Sequence, residues 1–393
     1  MPSNHRQYVI SEETRQRCHI FPLNDKNRNK FIPISLELFH YLYEVQDISF
    51  SIYFQVSEQM IEYIKASEFS HELVSKIIAS RHREYENIEI CVEKRHYAAF
   101  QQTIEKVRDK KIKALLSKDP SLDQKTLHLF SDLSNASQMI IKGGINRQVA
   151  LEVQESASRL VDNLMESEIA IGTLSRMVLA DPTLYDHSAA VAMISAVISK
   201  KILHKSRDQS QLIALGGLYH DVGKTCVPQH ILNKPGKFSD EEFDVMKSHT
   251  HLGHDELMKA IEQGAPIENE VTIVALEHHE KFCGFGYPHG KAGRKEEQDN
   301  GIHEFARIVS IADVYSALLM KRVYKEAYEP EKALAIMESN ADRDYDPLIF
   351  KPFVEDVSRS IAHYQSLDSQ KDQDRSRIFL VDEKGAYRLK KSS

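Results

Sequence analysis

The chain has 393 residues, 41% hydrophobic and 28% charged, a globular composition too long for one ordinary core, so two or more domains are expected. Its net charge of -7 offers no broad basic face for counterion release, which argues against double-stranded nucleic acid as the main partner. The opening MPSNHRQYVI lacks a basic region, an apolar run and a small-residue cleavage site, and no apolar stretch approaches a bilayer span, so a cytoplasmic protein without membrane insertion is expected.

Residues 1 to about 65 mix short β-prone runs, RCHIF, KFIPI and ISFSIYF, with a helix candidate around SLELFHYLYEV, which suits a small α+β module. From about Ser57 onward the pattern turns helical, with breaks at Asp119-Pro120-Ser121 and at Gly143-Gly144. Val149, Val153, Ala157, Leu160 and Leu164 then recur at nearly heptad spacing, which predicts a long connector helix. That seam suits either a homodimeric coiled coil or an ordinary core-facing helix, and its two to three heptads do not decide between them. Helical patterning resumes from Asp181 to about Gln365, and the tail SRIFLVDEKGAYRL reads as two short strands about a Glu-Lys-Gly turn. The expected class is mainly α. Residues 1–118 form an α+β and helical module, regulatory or partner-binding by its position, and residues 119–180 a helical connector. Residues 181–365 form a helical bundle, and 366–393 a tail.

Chemistry concentrates in the bundle. Many of the 19 histidines fall between His187 and His303, several beside acids. LYHDVGK sets His220 beside Asp221 at the end of an apolar helix, followed by Lys224; MKSHTHLGH holds His249, His251 and His254; HHEKFCGFGYPHG begins with His278, His279 and Glu280; ARIVSIADVYSAL carries Asp313. A single helical histidine is more often a satisfied polar group than a ligand. Imidazoles and carboxylates together, without thiolates, suit iron, manganese, nickel or zinc, and a pair of such cations serves in-line hydrolysis of a phosphodiester. Cys18, Cys91, Cys226 and Cys283 are scattered singly, as packed thiols are.

This ordered series resembles the HD-GYP family, the branch of HD-domain phosphohydrolases that cleaves cyclic di-GMP. HSAAVAM is similar to its first ligand helix, LYHDVGK to the HD motif, VPQHILNKPGKFSDEEFDVMKSHTHLG to the following helix-loop-helix, and HHEKFCGFGYPHG to the signature that names the family. ARIVSIADVYSALLMKRVYKEA resembles the last ligand helix and phosphate-binding turn. The resemblance implies an HD-type bundle with one divalent metal held by His187, His220, Asp221 and Asp313. The second is held by Asp221 as a bridge with His249, His278 and His279. Iron is the expected metal, with manganese the alternative. It implies attack by a metal-bridging hydroxide on cyclic di-GMP or a related cyclic dinucleotide, giving pGpG and in some members GMP. Lys224 would neutralise phosphoryl charge, and Arg322 and Lys325 would hold phosphates unless they form a solvated helix end. Gly286 and Tyr287 would shape the mouth of the site, a loop also linked in the family to diguanylate cyclase domains. Glu280 would orient a ligand histidine or sit on the surface, and His251 and His254 have no ligand counterpart.

The sequence departs from the family in places. Thr183 stands where some members have a glutamate for a third metal, so two metals are expected, with hydrolysis stopping mainly at pGpG. Cys283 and Ser316 stand where acids are common, Val323 replaces a proline, and KAGRKEEQDNGIHEF is longer than usual, lying over the site or looping into solvent. These departures leave room for a second reading, a cyclic dinucleotide receptor of negligible turnover that signals through its N-terminal module or a protein partner.

Overall fold

A computed structural model describes residues 17–24, 27, 30–34, 39, 41–56, 58–80, 89–164, 170–180, 186–232, 234, 236–293, 301–320, 328–381 and 387–389. The N-terminal part is an antiparallel sheet of five strands: β1 His19–Pro22, β2 Phe31–Pro33, β3 Ile52–Val56, β4 Gln59–Ile64 and β5 Glu89–Glu93, in the order β1-β4-β3-β5-β2. The central strand β3, IYFQV, is apolar on both faces because both are covered: Ile52, Phe54 and Val56 enter one core, while Tyr53 packs with Leu23, Met60 and Cys91 on the other side. β4 corrects the expectation of helix from Ser57 onward. Its run QMIEYI carries helix-tolerant residues, yet Val56 pairs with Gln59 across a tight hairpin and Met60, Ile61 and Ile64 are buried.

After β5 the Tyr97–Lys118 helix leaves the sheet. Phe100, Ile104 and Val107, at four- and three-residue spacing, bury one stripe in the sheet core, and Ile112 and Leu115 carry the same helix into a second, larger core. That core is a bundle of the helices Gln124–Gly143, Arg147–Leu164, Ala170–Ala180, His187–Val197, Arg207–Tyr219, His249–Glu262, Asn269–Glu277, Glu304–Leu319, Pro330–Glu338 and Pro347–Ile378. At its centre is HSAAVAMISAV, in which every residue from Ala189 to Val197 is buried, as a helix apolar all round must be. Capping boxes at Ser206/Gln209 and Ser239/Glu242 fix where the Arg207–Tyr219 and Asp240–Lys247 helices begin.

The helical connector comprises the helices Gln124–Gly143, Arg147–Leu164 and Ala170–Ala180, the first two parted at the expected Gly143-Gly144 break. Val149, Val153, Ala157, Leu160 and Leu164 do form one face of the Arg147–Leu164 helix, but that face is buried against helices of the same chain, so the core-facing alternative holds and the seam is spent inside the monomer. No break falls at residue 365: the last helix runs to Ile378 before β6 Phe379–Val381 pairs with β7 Tyr387–Leu389, the expected tail strands. Among the described residues no helix is long and apolar enough to cross a membrane.

Candidate metal centre and active site

The bundle turns helix ends toward one point. His187 opens its helix, held there by Asp186, whose side chain accepts a hydrogen bond from the Ala189 amide at 3.0 Å. His220 and Asp221 follow the end of the Arg207–Tyr219 helix, His249 begins the next long helix, and His278 and His279 follow the end of Asn269–Glu277. Asp313 projects from the middle of Glu304–Leu319.

All seven expected ligands come together. Asp221 divides its carboxylate: Oδ2 faces His220 Nε2 at 3.3 Å and His187 Nε2 at 3.9 Å, while Oδ1 faces His249 Nε2 at 3.5 Å and His278 Nε2 at 3.8 Å. Asp313 Oδ1 lies 3.1 Å from His187 Nε2 and 3.8 Å from His220 Nε2, and Asp313 Oδ2 is 4.0 Å from His279 Nδ1. Two overlapping donor groups result, His187, His220 and Asp221 on one side and Asp221, His249, His278 and His279 on the other, with Asp313 closing the floor beside His220 and His278.

The tautomers suit cations. His220 Nδ1 donates to the Gly217 carbonyl at 2.8 Å, His249 Nδ1 to Met246 at 2.7 Å and His278 Nδ1 to Ala275 at 3.0 Å, while His187 Nδ1 pairs with the Ser316 hydroxyl at 2.9 Å. With the proton fixed on Nδ1 by a carbonyl, the Nε2 lone pairs of His220, His249 and His278 are left aimed inward. The Nε2 of His220 and Oδ1 of Asp221 are buried with no hydrogen-bond partner among the described residues, an expensive arrangement unless something else binds them. Nitrogen and carboxylate donors with two orphaned atoms facing inward fit a divalent transition metal.

Electrostatics agree. Burial alone would neutralise Asp221, but His220 and Lys224 beside it hold its carboxyl well below the usual range; Asp313 is lowered against its own burial by His187 and His220. Burial depresses His278 strongly and brings His279 down to about 4, neighbouring imidazoles adding to both, and burial lowers His249. For His220 burial is outweighed by Asp221 and Asp313, and its pKa rises. Near neutrality the cluster therefore offers charged carboxylates and mostly neutral imidazoles, the state in which such groups ligate.

Lys224 Nζ is 2.5 Å from Asp221 Oδ2 with its side chain about one-third exposed, so it stands on the open side of the cluster. Between them Gly223 permits a backbone approach that no other residue could: a Cβ there would lie 2.0 Å from the His249 carbonyl oxygen and 2.4 Å from the Gly253 amide. Gly286 plays the same part in the Gly-Tyr-Pro loop, where a Cβ would come within 2.3 Å of the Lys281 amide.

Glu280 neither orients a ligand nor lies on the surface. It is 2% exposed, and its two oxygens accept the amides of His289 at 2.7 Å and Lys291 at 2.9 Å, tying the loop shut. Glu277 does the same for the next segment, accepting the Lys291 ammonium at 2.5 Å and the His303 amide at 2.8 Å. The Tyr287 ring packs 4.7 Å from that of His279, with Phe243 edge-on at 6.2 Å. The aromatic that the loop does present to solvent is Phe285, 81% exposed, and Phe243 is 45% exposed; the sequence reading named neither. Their signal was the bare presence of a large apolar side chain in a polar loop and on a charged helix.

His251 packs against His289 and His254 faces Asp255, both apart from the cluster. The Ser316 hydroxyl pairs with Nδ1 of His187 and so orients its ring, a role the sequence reading did not give it. Cys283 is pinned by its amide to the Arg343 carbonyl at 2.8 Å. Arg322, Val323, Lys325, Thr183 and residues 294–300 of the long insertion lie outside the described residues.

A helical bundle that gathers histidines and aspartates at its helix ends into one buried cluster, with an adjacent His-Asp pair at its centre, is the architecture of an HD domain. Residues 173–349 match the family described as HD domain. The chain's His-His-Glu and Gly-Tyr-Pro elements are similar to those of the HD-GYP branch, and curated relatives it matches are named as cyclic di-GMP phosphodiesterases. It is 35% identical over 205 residues to a cyclic di-GMP phosphodiesterase of Pseudomonas aeruginosa, covering 51% of this chain and 47% of that one. It is 32% identical over 222 residues to the cyclic di-GMP phosphodiesterase response regulator RpfG of Xanthomonas campestris, covering 54% of each. The chain thus spans about half the length of these curated relatives. A solved HDG"Y"P protein from Bdellovibrio bacteriovorus shares the fold, with a TM-score of 0.53 at 18% identity over 82% of this chain and 98% of that one.

Proposed function

We propose that this protein is a metal-dependent phosphodiesterase that opens cyclic di-GMP, or a related cyclic dinucleotide, to the linear dinucleotide. Two divalent transition metals, iron or in its place manganese, are held by His187, His220, Asp221 and Asp313 on one side and by Asp221, His249, His278 and His279 on the other. The observation that carries this reading is the divided carboxylate of Asp221, whose two oxygens face different sets of imidazoles. When bound, paired cations supply activation of water near neutral pH and stabilisation of charge on a phosphoryl group.

The chain's own residues do the rest. Asp313, buried, and Asp221, largely so, supply the negative charge that holds cations in a site where water is scarce. Lys224 can turn from Asp221 toward a phosphoryl oxygen as negative charge grows there, a contribution of several kcal/mol in such an environment. Tyr287, packed at a tilt against the His279 ring and braced by the Glu280 clamp, walls one side of the entrance, and Arg322 and Lys325 are assigned to substrate phosphates on the family pattern. Phe285, the exposed tip of the loop, supports a role for it in contacting a partner such as a diguanylate cyclase domain.

Protein purified with its native metal under reducing conditions and given cyclic di-GMP, with products followed by chromatography, tests the proposal. Expected are conversion mainly to pGpG and its loss in Asp221→Ala. Tight binding of cyclic di-GMP by metal-loaded protein without turnover would replace the enzyme with the receptor reading.

A further inference from the structure

A second candidate binding site lies far along the chain from the cluster. Where the Tyr97–Lys118 helix crosses Gln124–Gly143 there is a cavity of about 280 Å³, close to the low end of the roughly 300–1,000 Å³ usual for small-molecule sites. Phe100, Ile104 and Met139 line its apolar part, and Arg108, Asn135 and Gln138 its polar part. Arg108 is 2% exposed. Its Nη1 donates to Asn135 Oδ1 at 2.6 Å and approaches the Ser131 carbonyl at 3.4 Å, while among the described residues its Nε reaches no acceptor and no carboxylate comes within ion-pair distance. A guanidinium taken this far from water without a counter-charge is costly. Gln138 Oε1 on the opposite wall is also buried and without a partner.

We propose that this cavity binds a small organic acid, its carboxylate on the Arg108 guanidinium and its apolar body against Phe100, Ile104 and Met139. A carboxylate against the guanidinium supplies the missing charge. The Gln138 amide oxygen selects a ligand with a donor, such as a hydroxyl or ring N–H, on its far side. Glu105, the acid among the lining residues, is exposed, where solvent screens its repulsion.

The site sits between the chain's two parts. Arg108 also stands over the Tyr41 ring of the N-terminal part at 5.8 Å. Gln138 donates through Nε2 to Asp186 Oδ2 at 2.9 Å, and Asp186 is the cap of the helix that begins with His187. An occupant that engages Gln138 therefore bears on the residue that fixes a metal-facing histidine.

The test uses the full chain and ligand-observed NMR with benzoate, phenylacetate and indole-3-acetate beside their neutral amides. At least one acid binds, its amide binds at least about tenfold more weakly, and Arg108→Gln removes the preference. Ala98→Trp, at an exposed position on the rim, blocks binding with Arg108 intact, which keeps the test decisive should Arg108→Gln not fold. Equal binding of acid and amide, no acid bound at millimolar concentration, or an acid unaffected by Ala98→Trp overturns the site. Occupancy should also shift Mn(II) affinity, read by electron paramagnetic resonance, in the wild type but not in Gln138→Leu; an unchanged affinity in the wild type with the acid bound overturns the link to His187.

Discussion

Gly223→Ala puts one methyl group into a tight backbone contact beside the candidate metal centre. The new Cβ would stand 2.0 Å from the His249 carbonyl oxygen, 2.4 Å from the Gly253 amide nitrogen and 2.9 Å from the Gly253 Cα. Side-chain carbons essentially never approach other atoms within 3.0 Å, so the start of the His249–Glu262 helix must withdraw by about 1 Å. All three obstacles are backbone, so no side-chain rotation relieves them. His249 opens that helix, with its Nε2 3.5 Å from Asp221 Oδ1 and 3.4 Å from His278 Nε2, and it withdraws with the backbone. Overpacking of this kind costs roughly 1–3 kcal/mol of stability, and a displacement of about 1 Å at reacting groups costs about 100-fold in rate. If the proposed two-metal phosphodiesterase is right, elemental analysis of the purified variant should find the His249 side depleted, with metal falling from two per chain toward one, and turnover of cyclic di-GMP should fall by about 100-fold or more. Gly236→Ala is the control, because its Cβ meets nothing within 4 Å although its φ of +102° makes any side chain locally strained. A Gly223→Ala protein with full metal content and turnover within about threefold of the wild type would refute the claim that this contact sets the position of His249.

Ser316→Ala removes the hydroxyl that holds the His187 ring and should weaken metal binding by about 10- to 100-fold while Ser316→Thr keeps it, as competition with a chelator would report. Glu280→Ala strips two loop amides of their acceptor, at about 1–3 kcal/mol each if they stay buried. Hydrogen exchange of His289 and Lys291 should then rise while metal content stays unchanged. In metal-free protein the unfolded chain takes up protons on His249, His278 and His279 below their usual pKa of about 6.5, whereas the folded chain resists. Their stabilisation is present above that pH and lost as pH falls through the folded values, about 4 for His279, which alone accounts for at most roughly 3 kcal/mol. His220, raised, acts oppositely, contributing fully at low pH and losing its share as pH rises through its folded pKa. Thermal midpoints should therefore decline from pH 7 to 4, the three depressed histidines outweighing the one raised, and a flat or rising series contradicts the depressed values.

The ligand cluster was legible because its members mark helix ends. His220-Asp221 and His278-His279 follow apolar helices, His249 follows a capped one, and paired titratable residues there have little reason to serve a core. What bound them in place was not legible. The Ser316–His187 hydrogen bond joins residues 129 positions apart, and the Glu280 clamp joins a side chain to amides nine and eleven residues on; neither leaves a periodic trace. β4 was missed because QMIEYI suits a helix until β3 is set beside it, and no Asn-Gly or Asp-Gly marks the turn. The seam from Val149 to Leu164 was seen as a face, but spacing alone does not say which chain covers it.

The Tyr97–Lys118 helix belongs to both cores, and this decides where the molecule can be divided. A fragment starting at residue 119 would lack Ile112 and Leu115 and leave bare the bundle surface they cover, whereas one starting just after Arg108 would keep both. The separable halves meet inside a continuous helix rather than at a linker, so torque applied to the sheet reaches the bundle along one stiff rod, with no slack segment to absorb it.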